Sequence, residues 1–459
     1  MTHTDLNVSS DSGASAAALP APVDASAPAS GARTTAATSS RVLRWLGPFG
    51  LLGSVVCTLW IVLDAASAKS PLVPHQPAIA GWLNGPGSEL SYRKFLVILL
   101  IMTACYVAAV VGARQVSPRW LIWTLIALHV VLFIGPVLIS QDVFQYIDYG
   151  RLGVLHGINP FAHGPIAAPQ DPLFRYVGTI WYHVATAYGP LFTLLSYPIA
   201  LLGVDGALWG MKVLAIASSL AALWFVWLCA KRLGRDPVLA TLIVGINPLW
   251  VIYGLGGFHN DLLMDAFMMG GVLLLLREQE ARGAAAIILG AAVKATAIVV
   301  LPFVVLTRRR WSLIGGAAVA LVVVGLASFV AFGVHGLDFV SVLKRNSTYV
   351  STDSFPLEVA HLIGLPGVFR VDRTIVRFGS VVVILWFMWR TWRGYDWISA
   401  SSWTLLVLAV SSTWLLAWYL LWALPLAAIS RDRRVLWATL GIMALFVVHQ
   451  TAPLFSPVT

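Results

Sequence analysis

The sequence predicts an all-α polytopic membrane protein, and three observations support this fold class. Of the 459 residues, 59% are hydrophobic and 11% are charged, whereas a soluble domain carries about 25% charged residues. Apolar runs of about 17–25 residues, the length that crosses a bilayer as a helix, recur along nearly the whole chain. Many Lys and Arg residues lie in the short segments between these runs, as the positive-inside rule expects of cytoplasmic loops.

Composition also excludes several other classes of protein. The net charge of +10 is explained by the inter-helix loops and does not indicate a nucleic-acid partner. Cys57, Cys105 and Cys229 all lie inside apolar runs, which favours small core residues over a disulfide framework or a metal site. Residues 1–40, rich in Ala, Ser, Pro and Thr, predict a disordered cytoplasmic tail before a transmembrane domain at 41–459.

The apolar runs can be assigned to helices in chain order. The predicted helices are 43–65, 94–113, 118–139, 207–230, 237–255, 261–276, 283–307, 311–333, 374–391, 397–413, 415–430 and 434–452. The short apolar segment at 188–202 favours a re-entrant or interfacial element, and residues 283–307 favour two segments bent near Lys294. These assignments give about 13 spans, with two long outer loops at 140–190 and 334–373.

The first outer loop opens on an acidic residue directly after an apolar run. If the segment 142–156 is helical, Asp142, Tyr146 and Tyr149 share one face, and Arg151 lies on another side. The position of Asp142 is typical of a helix N-cap and equally of a general base beside a membrane-borne substrate. Both interpretations stay open at this point. Further candidate ligands follow in the same loop, each also compatible with loop packing: His163, Arg175 and Tyr188.

A second group of polar residues begins at His259, Asn260 and Asp261. Asp261 and Asp265 lie one turn apart on a predicted helix, where an ionisable side chain inside an apolar run indicates function. The alternative is that Asn260 or Asp261 caps the helix and Asp265 pairs internally. Lys294, in the middle of an apolar run, predicts either a bound phosphate or an ion pair with Asp261 or Asp265.

The second outer loop carries several cations, against the usual charge bias. An anionic ligand and outer-leaflet headgroups explain them equally well. The cations are Lys344, Arg345, His361, Arg370 and Arg373. The sequence beginning Phe355-Pro356 predicts a short interfacial helix in this loop.

Several short motifs together resemble one enzyme family. They are Asp142-Val143-Phe144-Gln145-Tyr146, Tyr149-Gly150-Arg151, Gly157-Ile158-Asn159-Pro160-Phe161, Tyr188-Gly189-Pro190, Asn247-Pro248, Gly257-Phe258-His259-Asn260-Asp261 and Lys294. Over about residues 45 to 310, this arrangement resembles the GT-C glycosyltransferases, and among them the actinobacterial polyprenol-phosphate-mannose-dependent α-1,6-mannosyltransferases of lipomannan synthesis. The resemblance implies the GT-C fold, with residues 41–459 as its catalytic domain.

The resemblance also implies a reaction and roles for individual residues. Asp142 is the expected catalytic base, and Lys294, His259 and Arg175 are the expected ligands of the donor phosphate. Substrate-binding residues are expected among Tyr146, Tyr149, Arg151, His163, Tyr188, Asn260, Asp261, Asp265 and His361. The expected donor is polyprenyl phosphate mannose, the acceptor is a mannan or glycolipid, and neither a cofactor nor a metal is required. The expected location is the plasma membrane, in contact with lipid, with the site on the outer face.

Two alternatives remain open from the sequence. A transporter or flippase of lipid-linked sugars also needs intramembrane charges and interrupted helices. The clustering of polar residues in two outer loops favours an enzyme instead. A GT-C enzyme that uses another polyprenyl-phosphate sugar, such as arabinose or glucose, is the second alternative.

Overall fold

Helices form every long element of the computed structural model, which describes residues 30–66, 70, 72–77, 88–308 and 310–451. The α-helices are α1 Ser30–Ala65, α2 Tyr92–Val111, α3 Pro118–Ile134, α4 Asp142–His156, α5 Pro190–Ala200, α6 Gly203–Arg232, α7 Pro237–Gly245, α8 Asp261–Leu276, α9 Glu280–Val293, α10 Val300–Arg308, α11 Trp311–Phe332, α12 Phe339–Asn346, α13 Phe355–Leu362, α14 Arg370–Trp392, α15 Trp397–Ser411, α16 Leu424–Ile429 and α17 Arg433–Thr451. The described part of the chain contains no β-strand.

The chain divides into two units, residues 1–43 and residues 44–459, and all contacts below belong to the second unit. In the first unit, residues 30–43 form the start of α1. The predicted disordered tail covers residues 1–40, of which 1–29 lie outside the described residues.

Five helical segments of the described residues are long and apolar enough to cross a membrane. They are Trp45–Ala65, Tyr92–Val111, Gly203–Arg232, Trp311–Leu337 and Arg433–Thr451. A sixth candidate is the pair Pro237–Gly245 and Leu249–Leu255, bent by 51°. The class of helical membrane protein is therefore supported, whereas the count of about 13 spans stays a prediction.

Three predicted helices are shorter or more broken than expected. The helix predicted at 118–139 ends at Ile134, because Gly135 and Pro136 interrupt it. The segment 237–255 changes to a π-helix at Leu249–Leu255. The segment 415–430 consists of a 3₁₀ turn, Ala417–Leu421, followed by α16.

The predicted bend near Lys294 is confirmed. α9 ends at Val293, Lys294 has extended backbone angles (φ −148°, ψ 124°), and a 3₁₀ turn at Ala295–Val299 leads into α10. The amide of Gly189 donates a hydrogen bond of 3.0 Å to the Val293 carbonyl. A Cβ at Gly189 would lie 2.1 Å from the Ala292 carbonyl oxygen, so only glycine allows this loop to approach the break.

Close packing of α4 against α5 fixes the position of the first outer loop. α5 is the short segment that was predicted to be re-entrant or interfacial. At Gly150 of α4, an added Cβ would lie 2.7 Å from both the carbonyl oxygen and the Oγ of Ser196 in α5. Gly441 of α17 is a contrasting case, because an added Cβ there would meet no atom within 4 Å.

We expect Gly150→Ala to lower the melting temperature, because α4 and α5 must separate to admit the methyl group. Overpacking of this kind costs about 1–3 kcal/mol. The measurement is thermal unfolding in detergent, followed with a thiol-reactive dye that labels the buried or half-buried cysteines Cys57, Cys105 and Cys229 as they become exposed.

Gly441→Ala is the matched control, since it adds the same methyl group in a helix with free space. We expect its stability to change by less than about 1 kcal/mol. Equal melting temperatures for the two variants would show that the α4–α5 contact is not tight.

Candidate active site

Asp142 is the first residue of α4, and Gln141 occupies the N-cap position. The backbone N–H of Asp142 donates to the Ser140 hydroxyl at 3.1 Å. The interpretation of Asp142 as the helix cap is therefore wrong. Its carboxylate instead faces two cavities, which leaves it available for chemistry.

Both backbone segments that carry the site contain a strained residue. Ile139, three residues before Asp142, has φ 68°, and Phe258, directly before His259, has φ 52°. Positive φ is costly for a β-branched or bulky residue, and such strain persists where the surrounding structure holds it. The amide of Ile139 donates to the Leu72 carbonyl at 2.6 Å, which is one contact that holds this segment.

A buried histidine links the two predicted groups of polar residues. His259 Nδ1 lies 3.5 Å from Asp142 Oδ2 and 3.3 Å from the Tyr146 hydroxyl. Its ring stacks on Trp418 with 3.7 Å between centroids. This packing fixes the imidazole with one nitrogen toward the carboxylate, so His259 contacts the acid directly.

Burial changes the acidity of Asp142. Desolvation disfavours the charged carboxylate and raises its pKa to about 6, partly offset by the positive charge of Lys294 and the hydrogen bond from Ser140. The negative charge of Asp261 adds a smaller rise. A carboxylate with a pKa near neutrality is a stronger base than an exposed one, and it is still ionised at pH 7.

Lys294 forms the second half of the site. Its ammonium donates to Asp261 Oδ1 at 2.7 Å and lies 4.8 Å from the centroid of the Tyr419 ring. The indole N–H of Trp422 donates to the same Asp261 oxygen. Of the alternatives left open by the sequence, the ion pair with Asp261 is present, and the ammonium still borders the cavity that Asp142 lines.

Asp265 lies one turn deeper in α8 and is fully buried. Neither of its carboxyl oxygens has a hydrogen-bond partner among the described residues. Asn260 occupies the N-cap position of α8 without a capping hydrogen bond from its side chain. The capping interpretation of Asn260 is therefore not supported.

Two cavities meet at Asp142. The smaller, of about 210 Å³, is also lined by Lys294, Tyr149 and Tyr188. The larger, of about 680 Å³, is also lined by Tyr92 and Asp353. Because one carboxylate borders both spaces, it can contact molecules bound in each of them.

The structure places the predicted site residues in two groups. The first group surrounds Asp142 in the cavities or in contacts directly behind them: Tyr146, Tyr149, Tyr188, His259, Asn260, Asp261, Asp265 and Lys294. The second group lines neither cavity: Arg151, His163, Arg175 and His361.

The residues of the second group have other environments. Arg151 donates from Nε to both oxygens of Asp171, at 2.9 and 3.0 Å. Arg175 is exposed and lies over the Tyr176 ring at 4.8 Å. His163 and His361 are exposed. Through its ion pair with Asp171, Arg151 therefore stabilises the first outer loop.

Sequence reasoning missed the aromatic residues of the site. They are Trp181, Trp414, Trp418, Tyr419 and Trp422, which line the smaller cavity. The recurrence of tryptophan at every fourth position in 414–422, after the polar run Ser411-Ser412-Thr413, was an available signal.

Lys212 of α6 binds the end of α3, a role that its sequence position did not predict. Its side chain is buried and donates to the carbonyl oxygens of Phe133 and Gly135, at 3.1 and 2.7 Å. These carbonyls lie at the C-terminal end of α3, where the helix dipole favours a cation. Lys212 therefore stabilises the turn that leads to Asp142.

Comparison with known proteins identifies the family. Residues 45–310, more than half of the chain, match the family model described as "Alpha-(1->6)-mannopyranosyltransferase, N-terminal domain". Residues 358–453 match the model described as "MptB C-terminal domain". No solved structure matches the chain.

Similar proteins that have been curated carry the same family name. Alpha-(1->6)-mannopyranosyltransferase A of Mycobacterium tuberculosis is 29% identical over 352 residues, which cover 69% of this chain and 68% of the relative. Alpha-(1->6)-mannopyranosyltransferase B of Corynebacterium glutamicum is 25% identical over 255 residues, covering 50% of this chain and 41% of the relative. With Asp142, His259, Asp261 and Lys294 all inside the matched region, the chain belongs to the alpha-(1->6)-mannopyranosyltransferase family.

Proposed function

We propose that this protein transfers mannose from polyprenyl phosphate mannose to a mannan or glycolipid acceptor and forms an α-1,6 linkage with inversion. Membership of the family supports the type of transfer. The observation that carries the mechanism is the position of Asp142, a half-buried carboxylate that borders two cavities. Both observations favour an enzyme over a transporter.

The chemical step requires a base beside the attacking hydroxyl group. Asp142 accepts the proton of the acceptor hydroxyl while the acceptor oxygen forms a bond to the anomeric carbon. The bond between that carbon and the phosphate oxygen breaks, and its electron pair remains on the phosphate. A β-linked mannosyl phosphate thereby becomes an α-mannoside. His259, 3.5 Å from Asp142 Oδ2, holds the carboxylate in place.

The leaving phosphate needs positive charge. Lys294 borders the smaller cavity, and its ammonium can bind a phosphate while it remains near Asp261. Arg345 of α12 is a further candidate, because its Nε and Nη2 are buried without a hydrogen-bond partner among the described residues. Arg345 itself does not line the smaller cavity, but its neighbour Asn346 does. Because Lys294 borders the smaller cavity, we assign this cavity to the donor's mannosyl phosphate.

We expect Asp142→Asn to abolish transfer, because an amide cannot accept the proton. Loss of a general base typically lowers the rate by about 10²–10⁴-fold. The measurement is mass detection of the extended acceptor, formed by purified protein supplied with polyprenyl phosphate mannose.

Asp148→Asn is the matched control, since Asp148 is a buried carboxyl on the same helix that lines neither cavity. We expect it to retain most of the activity. Turnover of Asp142→Asn near that of Asp148→Asn would remove Asp142 from the role of base.

The pH profile should follow the pKa of Asp142. Because its carboxylate acts when deprotonated and burial raises its pKa to about 6, kcat/KM should be constant above pH 7. Below about pH 6 it should fall tenfold per pH unit. The measurement is initial rate against pH at low substrate concentration.

Asp148 provides the control here too, because burial raises its pKa to about 7, with the nearby Asp171 adding to the rise. The profile of Asp148→Asn should match the wild type. An inflection that moves in this variant would assign the titration to Asp148 instead.

Removal of the Lys294 charge should weaken binding of the donor. Lys294→Met alone would leave Asp261 buried and unpaired, so we pair it with Asp261→Asn. We expect this double variant to fold and to raise the donor KM about tenfold or more, as for a lost charged hydrogen bond. The measurement is the KM of each substrate in turn.

Arg345→Met tests the second cation, with Lys344→Met as its control on the exposed neighbour. We expect only Arg345→Met to raise the donor KM. Unchanged donor KM values in both the double variant and Arg345→Met would contradict the assignment of the smaller cavity to the donor phosphate.

A further inference from the structure

The two cavities that share Asp142 differ in charge. The described residues that line the larger cavity include two carboxylates, Asp142 and Asp353, and no Lys, Arg or His. The smaller cavity is lined by Asp142 and Lys294. His449, which does not line this cavity, has its Nε2 3.7 Å from Asp353 Oδ1. Among the described lining residues, an anionic phosphate in the larger cavity would meet two carboxylates and no cation, so this cavity suits the donor headgroup less well than the one that Lys294 lines.

Hydrogen-bonding groups lie among the apolar residues that line the rest of the larger cavity. The Tyr92 hydroxyl donates to Gln450 Oε1 at 2.7 Å, which joins α2 to α17 along one wall. Thr352 contributes a hydroxyl and Asp353 a carboxylate on another side. These groups accept and donate hydrogen bonds with sugar hydroxyls without requiring a charged ligand.

Aromatic side chains lie where the two cavities meet. Trp181, Trp414 and Trp418 line both spaces, beside Asp142. Indole rings present large apolar faces with a polar N–H at one edge. A sugar ring has a similar division between C–H faces and hydroxyl edges, so these residues suit a sugar on either side of the carboxylate.

We propose that the larger cavity binds the acceptor as a neutral oligosaccharide, with its attacking hydroxyl at Asp142 and its preceding sugars beside Thr352, Asp353 and Gln450. This inference rests on the proposed function and adds the position of the second substrate. Inversion requires the nucleophile and the leaving group on opposite faces of the anomeric carbon. A donor bound at Lys294 and an acceptor bound in the larger cavity meet this requirement at the shared carboxylate.

The volume of the larger cavity, about 680 Å³, gives the inference a consequence for specificity. Tyr92, Gln450 and Asp353 border only the larger cavity, whereas Asp142 borders both. Contacts to these distal residues require an acceptor that extends beyond its reacting sugar. An acceptor of several sugars therefore gains hydrogen bonds that a single mannoside lacks.

The test uses purified full-length protein, polyprenyl phosphate mannose and synthetic α-1,6-linked mannosides of increasing length. We expect Thr352→Trp, which fills the cavity, to raise the acceptor KM about tenfold or more while the donor KM stays within about twofold. Gln450→Ala, a milder change, should raise the acceptor KM about three- to tenfold. This increase should disappear with the single mannoside.

Gln170→Trp is the control, because Gln170 is exposed in the first loop and lines neither cavity. Its two KM values should equal those of the wild type. An unchanged acceptor KM in both cavity variants, or a rise in the donor KM alone, would overturn the inference while wild-type transfer continues. Absence of transfer by the wild type with this donor would instead contradict the proposed function.

Discussion

The ion pair between Lys294 and Asp261 is the interaction on which the site depends. The buried carboxylate of Asp261 needs partners, and it accepts from the half-buried Lys294 ammonium at 2.7 Å and from the Trp422 indole. These three residues come from the break after α9, the start of α8 and the turn between the 3₁₀ segment Ala417–Leu421 and α16. Together, Lys294, Asp261 and Trp422 therefore join three distant parts of the chain beside the smaller cavity.

The position of Asp142 follows from this arrangement. His259, two residues before Asp261, contacts Asp142 from one side and stacks on Trp418, which belongs to the same segment as Trp422. The carboxylate is thus enclosed by groups that the ion pair holds together. Enclosure raises its pKa toward neutrality, and the neighbouring cation keeps the ionised form accessible. A base and an electrostatic site for a leaving anion arise from one packing arrangement.

Local signals in the sequence predicted part of this site well. The break near Lys294 was predicted, and α8 begins and ends at the predicted residues, Asp261 and Leu276. Pairing of Lys294 with Asp261 was one of the alternatives that the sequence left open. The pairing of Arg151 with Asp171 was not predicted, because loop packing depends on contacts that no local pattern encodes. Trp418 and Trp422 were missed for a different reason: in a membrane protein, tryptophan also marks the lipid interface, so their spacing alone did not indicate a site.

The most direct test of the central claim is a structure of the protein with a non-hydrolysable polyprenyl phosphonate analogue of the donor and an α-1,6-linked oligomannoside. The account predicts the phosphonate within hydrogen-bond distance of Lys294, the oligomannoside on the opposite side of Asp142, and the reacting hydroxyl at its carboxylate. A phosphonate bound far from Lys294, or an acceptor hydroxyl out of reach of Asp142, would contradict it.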